Sequence, residues 1–60
     1  MKDEILTKEE LASLIKVTER TIDRMRNEGM PYFKVGTNVR FRKERVLQWL
    51  EQRDQEKPKN

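Results

Sequence analysis

The chain has 60 residues, of which 42% are charged and 33% hydrophobic, and it carries a net charge of +3. A chain this short buries only about 60% of the surface that its unfolded form exposes, which leaves little room for an enclosed active site. The sequence contains no cysteine and no histidine, which excludes disulfides, thiolate and imidazole metal ligands and the usual nucleophile pairs. We therefore expect no enzyme activity, no metal site and no cofactor.

The charge is unevenly distributed along the chain. Residues 16–45 contain nine lysines and arginines against four acidic residues, a net charge of +5, whereas segments 1–15 and 46–60 are acidic or neutral. Such a basic segment is typical of a polyanion-binding surface, and a charged solubilising surface is the plainer alternative. The sequence shows neither a signal-peptide pattern nor an apolar run long enough to span a membrane, so we expect a soluble cytoplasmic protein without a membrane partner.

A capping box begins the first predicted helix. Thr7 is followed three residues later by Glu10, so the Thr7 hydroxyl can accept from the Glu10 N–H while the Glu10 carboxylate accepts from the Thr7 N–H. The helix is expected to end after two turns, because Lys16 and Val17 precede a second N-cap candidate, Thr18. One buried stripe is predicted at helical spacing: Leu11, Leu14 and Ile15.

A second helix is predicted from about Glu19 to Glu28. Thr18 is its N-cap, Gly29 can take the left-handed conformation that ends a helix, and Pro31 prevents its continuation. Ile22 marks the buried stripe. At about 100° per residue, four polar residues are expected to point away from it: Arg20, Asp23, Arg24 and Asn27.

From Tyr32 the sequence alternates with a period of two, which is typical of strands. We expect a β-hairpin with the three-residue connection Gly36-Thr37-Asn38, because Gly and Asn tolerate positive φ. One face is expected to pack inward: Phe33, Val35, Val39 and Phe41. The other face is expected to meet an anion: Tyr32, Lys34, Arg40 and Arg42.

The last predicted helix covers Lys43 to Arg53, with an apolar stripe that closes the core: Val46, Trp49 and Leu50. Because all three lie on inward stripes, Trp49, Phe33 and Phe41 are interpreted as core residues rather than as base-stacking platforms. Residues 54–60 contain no apolar residue and one proline, which indicates a disordered tail. The sequence thus predicts one domain, residues 1–53, followed by a tail, residues 54–60.

Two short helices joined by a tight turn, the second with a basic outward face, are typical of a helix-turn-helix, and a following hairpin rich in outward Arg and Lys is typical of a wing. The predicted fold class is α+β, a winged helix-turn-helix of two short helices, a β-hairpin wing and a C-terminal helix. A helix about 10–12 Å across fits the major groove of B-DNA, which is about 12 Å wide.

Six short segments follow one another along residues 5–53. They are Leu6-Thr7-Lys8-Glu9-Glu10-Leu11-Ala12, Val17-Thr18-Glu19-Arg20-Thr21-Ile22, Gly29-Met30-Pro31, Lys34-Val35-Gly36, Val39-Arg40-Phe41 and Val46-Leu47-Gln48-Trp49-Leu50. Together, in this order and at these spacings, they resemble the excisionase family of small DNA-binding domains, relatives of the MerR winged-helix group. The resemblance implies a protein that binds DNA near recombination junctions, bends it and directs an integrase toward excision of a phage or mobile element.

Two positions depart from the pattern of that family. Lys16 occupies the turn between the first two helices, where the family usually has glycine, so either the turn is right-handed here or Lys16 bears backbone strain. The wing tip, often doubly basic in relatives, is Thr37-Asn38. Arg40 and Lys34 therefore become the better candidates for contact with phosphate or the minor groove.

The resemblance implies roles for the second helix. Its two threonines are expected to contact phosphate, and Arg20 and Arg24 to read base edges, since arginine can bridge guanine O6 and N7. Glu19 and Asp23 repel phosphate, so each is expected to read cytosine or to orient an arginine, while Asn27 could read adenine. With the hairpin cations, the predicted DNA-binding set is Thr18, Glu19, Arg20, Thr21, Asp23, Arg24, Asn27, Lys34, Arg40 and Arg42.

Ordinary pairing on a helix surface is the alternative interpretation of the same charged residues. Asp23 can pair with Arg26 or Asn27, and Arg24 with Glu28, at spacings of three or four.

Three functions are therefore open. The most specific is a DNA-bending accessory factor in the cytoplasm of a bacterial or phage-infected cell, with double-stranded DNA, a tyrosine or serine integrase and cooperatively bound copies of itself as partners. The second is a stand-alone transcription regulator, although the apolar residues end at Leu50 and leave little for a dimerisation helix. The third is a protein-interaction module whose charged helix docks an acidic partner.

Overall fold

A computed structural model describes residues 4–56, with side chains described as far as Arg53. The elements in chain order are β1 (Ile5–Leu6), α1 (Lys8–Leu14), α2 (Glu19–Asn27), β2 (Phe33–Val35), β3 (Asn38–Arg42) and α3 (Lys43–Glu56). The strands form one antiparallel sheet in the order β1-β3-β2. The structure is a winged helix-turn-helix of the α+β class, as predicted.

The predicted capping box is present at the start of α1. The Glu10 N–H donates to Thr7 Oγ1 at 3.0 Å, and the Thr7 N–H donates to Glu10 Oε1 at 2.9 Å. Leu11 and Ala12 are buried, but Leu14, which was predicted to be buried, is 44% exposed. The reason is angular: the buried stripe is centred between Leu11 and Ala12, and at about 100° per residue Leu14 falls outside it.

The turn between α1 and α2 has the geometry of a Schellman motif. The Val17 N–H donates to the Ala12 carbonyl at 2.9 Å and the Lys16 N–H to the Ser13 carbonyl at 3.3 Å. Lys16 has φ 59°, so of the two alternatives for this position the left-handed, strained one is realised. For a residue with a Cβ this conformation costs roughly 1–2 kcal/mol.

A second Schellman motif ends α2. The Met30 N–H donates to the Met25 carbonyl at 3.1 Å and the Gly29 N–H to the Arg26 carbonyl at 3.2 Å. Gly29 has φ 117°, a region that side chains avoid. The predicted boundaries of α2 are therefore confirmed to within one residue, with Glu28 as the C-cap.

The hairpin differs from the prediction by one residue. Its loop has two residues, Gly36 and Thr37, and Val35 pairs with Asn38. Gly36 has φ 66°, and a type II′ turn requires glycine at this first central position. Because a slip of one residue moves every side chain of a strand to the other face, the predicted faces of the β2 residues are wrong.

The register assigns the strand residues to two faces. In β2, Phe33 lies opposite Arg40 and Lys34 opposite Val39, and opposite residues of an antiparallel pair share a face. The inner face, which meets the core, consists of Leu6, Lys34, Val39 and Phe41. The outer face consists of Ile5, Phe33, Val35, Asn38, Arg40 and Arg42. The predicted separation of an apolar face from a cationic face is therefore wrong, since Phe33 and Val35 share the outer face with two arginines.

Strand β1 was not predicted. Ile5 pairs with Arg42 and Leu6 with Phe41, so β1 covers the end of β3 that β2 leaves unpaired. Two residues are too few to show a periodicity in the sequence, and only the partner strand identifies them as a strand.

Helices and sheet share one small core. Its buried side chains are Leu6, Leu11, Ala12, Ile22, Met25, Met30, Phe41 and Val46, and Ile15, Val17, Val39, Trp49 and Leu50 pack against them. Phe41 and Trp49 therefore pack as predicted. Phe33 does not belong to this core, because its strand has the other register.

Helix α3 follows β3 without a connecting loop and continues past the predicted end at Arg53 to Glu56. Residues 54–56 contain no glycine or proline that would end a helix, and the first proline is Pro58. Residues 54–56 of the predicted tail thus continue α3, whereas residues 57–60, and residues 1–3 of the predicted domain, lie outside the described part of the chain.

Candidate nucleic-acid interface

The side of α2 opposite the core carries exposed positive charge. Arg20, Arg24 and Asn27 are all exposed, as the periodicity predicts. Within residues 4–53, neither Arg20 nor Arg24 makes a side-chain hydrogen bond, an ion pair or a ring contact. Both guanidinium groups are therefore available to an external anion or to a base edge.

Asp23, also predicted to point outward, is held by two cations. Its carboxylate accepts from Lys8 Nζ at 3.2 and 3.3 Å and from Arg26 Nη1 at 3.2 Å. Its side chain remains 48% exposed. Of the two roles expected for Asp23, this arrangement fits the one in which it orients an arginine, and that arginine is Arg26.

Arg26 was not among the predicted site residues. Besides its bond to Asp23, its guanidinium lies over the Tyr32 ring, 4.5 Å from the centroid, and its Nε is buried without a hydrogen-bond partner within the described chain. Lys8, Asp23, Arg26 and Tyr32 thus form a continuous chain of contacts from α1 through α2 to the start of the hairpin. The spacing of Asp23 and Arg26 is visible in the sequence, but the contacts with Lys8 and Tyr32 depend on the tertiary fold.

The N-terminus of α2 is capped by its own side chains. Thr18 Oγ1 accepts from the Thr21 N–H at 3.2 Å, and the two threonine hydroxyl oxygens are 3.1 Å apart. Thr18 and Glu19 are exposed, whereas Thr21 is half-buried. A phosphate at this end would therefore meet Thr18 before Thr21.

The hairpin tip lies beside the start of α2. Glu19 and Arg40 line one surface depression together with Lys8 and the tip residues Thr37 and Asn38. Arg40 is half-buried, and its Nη1 donates to the Val39 carbonyl at 2.8 Å. The structure therefore brings Arg40 close to the predicted residues at the N-terminus of α2.

The other two hairpin cations lie elsewhere. Lys34 is exposed and lies on the inner face opposite Val39. Arg42 lies at the base of the hairpin, with its guanidinium 5.1 Å from the centroid of the Phe33 ring. It lines a second depression together with Arg45. Lys34 and Arg42 are consequently on opposite faces of the sheet, not on one face as predicted.

Ion pairs reduce the negative charge around α2. Asp23 is paired as described, and Glu28 forms an ion pair with Arg53 Nη1 at 2.6 Å. Of the acidic residues on and next to α2, Glu19 alone makes no side-chain hydrogen bond or ion pair with another described residue. The exposed side of α2 therefore combines unpaired arginines with mostly compensated carboxylates, an arrangement suited to an anionic ligand.

Residues 4–56 contain neither a membrane-spanning helix nor a cluster of metal-binding side chains. The helices there are all too short or too polar to cross a membrane. The same residues contain no cluster of carboxylates that could hold a metal ion.

Comparison with known proteins adds one finding. The sequence profile of a family described as a helix-turn-helix domain matches residues 5–54, and this family includes excisionase-like DNA-binding proteins. No curated protein and no solved structure matches the chain.

Proposed function

We propose that this chain inserts α2 into the major groove of a duplex and places its hairpin tip on the adjoining DNA backbone. The chain belongs to the helix-turn-helix domain family and is therefore a DNA-binding protein. It acts by binding alone, without catalysis. The observation that carries the proposal is the pair of exposed, unpaired guanidinium groups of Arg20 and Arg24 on one side of α2.

Arg20 and Arg24 lie one helical turn apart, so both can reach base edges in the same groove. Each bidentate contact with guanine contributes about 1–3 kcal/mol of discrimination against other bases. Asn27, also exposed, extends the same side toward the C-terminus of α2 and suits adenine. These three residues would supply the sequence preference.

The residues around them would contact the backbone. Thr18 is exposed at the N-terminus of α2, where the helix dipole favours phosphate. Arg40 lines the depression between that terminus and the hairpin tip, and Lys34 projects from the inner face. Contacts of this kind set position and affinity but carry no sequence information.

The finer function that we propose is that of an excisionase-type accessory factor, which bends DNA at recombination sites and directs an integrase toward excision. Its supports are the ordered resemblance along residues 5–53 and the presence of excisionase-like proteins in the family. A module of this size covers about 600–1,000 Å² of DNA-facing surface. We therefore expect one copy to bind weakly and neighbouring copies to bind cooperatively.

A stand-alone transcription regulator is the second candidate. Leu14 and Leu47, which are 44% and 38% exposed, are apolar side chains that a dimer could cover. A regulator of this kind would bind a two-fold symmetric site as a dimer.

The first experiment measures DNA affinity after selection of a preferred duplex from a random pool. Arg24→Gln should weaken binding to the selected duplex by about 1–3 kcal/mol, which is about fivefold to 150-fold. Lys43→Gln is the matched control, because it removes the same charge from a side chain that is paired with Glu4, away from α2. If both variants bind like the parent, α2 is not the recognition helix.

The second experiment separates the two finer functions. Gel mobility on DNA with the selected site at different positions should reveal bending, at an elastic cost on the order of 1–6 kcal/mol. Tandem sites should give a ladder of complexes. A single unbent complex on a symmetric site would favour the regulator over the accessory factor.

A further inference from the structure

The outer face of the sheet has a composition unlike that of a solvent-facing surface. Val35 is 56% exposed and Ile5 43% exposed, and Phe33 lies between them in the sheet without belonging to the core. These apolar groups share the face with Arg40 and Arg42. Exposed apolar groups gathered on one face with cations are typical of an interaction surface rather than of scattered surface residues.

At the base of the hairpin this face continues into a depression. Its lining residues are Pro31, Tyr32, Phe33, Arg42 and Arg45. Tyr32 is 45% exposed, and the Arg42 guanidinium lies over the Phe33 ring. Within residues 4–53, the strand positions of the outer face and the lining of this depression include no carboxylate. The surface is thus aromatic, apolar and positively charged.

We propose that the outer face and this depression form a docking surface for a partner protein, and that the partner contributes an acidic peptide segment with interspersed apolar side chains. Its carboxylates would meet Arg42 and Arg45, and its apolar side chains would cover Phe33, Val35 and Ile5. The positive charge of this surface favours acidic residues in the partner peptide, and its exposed apolar groups favour apolar residues next to them.

The open edge of the sheet favours an extended peptide. In the order β1-β3-β2, strand β2 is bonded to β3 alone, so one edge of Phe33–Val35 is available for main-chain hydrogen bonds. Addition of a strand to such an edge is a common mode of peptide recognition, in which alternate side chains provide the specificity.

A second DNA contact is the competing explanation of the positive charge. Successive residues of a strand point to opposite faces, and the inner face meets the core on which α2 packs. The base of the outer face, with Ile5, Phe33 and Arg42, is therefore turned away from the side on which α2 packs, whereas Asn38 and Arg40 near the tip also line the depression beside the start of α2. Phosphate contacts also give no reason for exposing Val35 and Ile5. The proposal consequently goes beyond DNA binding and does not depend on it.

The probe is a short fluorescein-labelled peptide in which glutamate alternates with leucine and phenylalanine. Serine replaces both apolar residues in a first control peptide, and lysine replaces glutamate in a second. Binding is followed by fluorescence anisotropy and mapped by backbone amide shifts of the isotope-labelled full chain. The acidic apolar peptide should shift the amides of Ile5, Phe33, Val35 and Arg45 and leave those of α2 in place, while both control peptides bind more weakly.

Two variants, one that combines a hairpin residue with an α3 residue and one in the hairpin alone, separate the outer face from the inner face. Val35→Ser/Arg45→Gln should weaken the peptide about tenfold, through loss of a surface ion pair and an apolar contact, and should keep the affinity for the selected duplex. Lys34→Gln removes a charge next to Val35 but from the inner face, so it should leave peptide binding unchanged. Both substituted side chains of the double variant are exposed, and thermal unfolding checks that the variant folds.

Three results would overturn the proposal. The first is equal binding of the acidic apolar peptide and its serine control, and the second is a peptide footprint on α2. The third is displacement of the peptide by the selected duplex together with amide shifts of Val35 and Arg45, which would assign the outer face to DNA. Failure of DNA binding with an intact peptide footprint would instead contradict the DNA-binding proposal alone.

Discussion

The two outward arginines of α2, Arg20 and Arg24, and the arginines of the hairpin have different surroundings. Arg20 and Arg24 are exposed and make no side-chain contact with the described residues, whereas Arg40 donates to a backbone carbonyl and Arg42 covers an aromatic ring. When an arginine already has partners within the protein, its substitution should cost less free energy of DNA binding, since part of its role is packing. From this comparison we expect α2 to supply specificity for DNA, and the hairpin to supply shape and position.

The largest expected effect tests whether Arg20 and Arg24 of α2 supply the specificity. Arg20→Ala/Arg24→Ala should lower the affinity for the selected duplex by roughly a hundredfold or more, because two base contacts of about 1–3 kcal/mol each are lost. The free energy of unfolding should change by less than about 0.5 kcal/mol, as is usual for exposed residues without partners. Anisotropy titrations and urea unfolding measure the two quantities.

The same variant on a random duplex is the control. Its affinity there should fall less than on the selected duplex, since the backbone contacts remain. An equal loss on both duplexes would mean that Arg20 and Arg24 contact phosphate rather than bases.

The second prediction concerns the left-handed turn that each region contains. Lys16 before α2 has φ 59° and Gly36 in the hairpin has φ 66°, so the two backbones are alike but the residues differ. Gly36→Ala should destabilise the protein by roughly 1–2 kcal/mol, through backbone strain alone, since a Cβ at this position would meet no atom within 4 Å. Lys16→Gly should stabilise it by roughly 0.5 kcal/mol, because the relief of strain is partly offset by the greater freedom of glycine in the unfolded chain.

Urea unfolding of the pair provides the test. Changes of opposite sign in the free energy of unfolding would show that the same left-handed backbone is strained with lysine and relaxed with glycine. A destabilising Lys16→Gly would show that the Lys16 side chain contributes more than its backbone strain costs.

The two regions also differ in how far the sequence predicts them. In α2 the cap, the end and the outward side depend on residues within one or two turns, so Thr18, Gly29 and the 3.6-residue period suffice. In the hairpin, the sequence allows a loop with or without Asn38, and either choice leaves apolar residues in alternation. The loop of two residues decides the register: Val39 and Phe41 pack inward with either loop, and only the faces of the β2 residues change.

The candidate site shows the same division. The exposure of Arg20, Arg24 and Asn27 follows from helical geometry and is confirmed. The contact of Asp23 with Lys8 joins residues 15 positions apart, and that of Arg26 with Tyr32 crosses the turn that ends α2, so neither helical nor strand periodicity indicates them. Contact of any of these residues with DNA stays a prediction.

The third prediction tests the link between the two regions. Asp23→Asn removes the carboxylate that holds Lys8 and Arg26, and it should lower the free energy of unfolding by roughly 0.5–1 kcal/mol, as expected for a half-exposed ion pair. The base preference should not change, because Asp23 acts on Arg26 and not on DNA. Urea unfolding and selection of preferred duplexes measure both effects, and a new preferred base at one position would show that Asp23 reads DNA.

The smallest expected effect concerns the hairpin cation on the inner face. Lys34→Ala should weaken the selected and the random duplex alike, about two- to fivefold, because loss of one phosphate contact carries no sequence information. Binding by about four to six phosphates gives a log–log salt slope of about −4 to −5, and this variant should reduce its magnitude by about one. Anisotropy titrations over a range of salt concentrations check both numbers. If the salt slope stayed unchanged and the base preference shifted, Lys34 would contact a base instead of a phosphate. The hairpin would then share the specificity with α2, and the two regions would not differ in this respect.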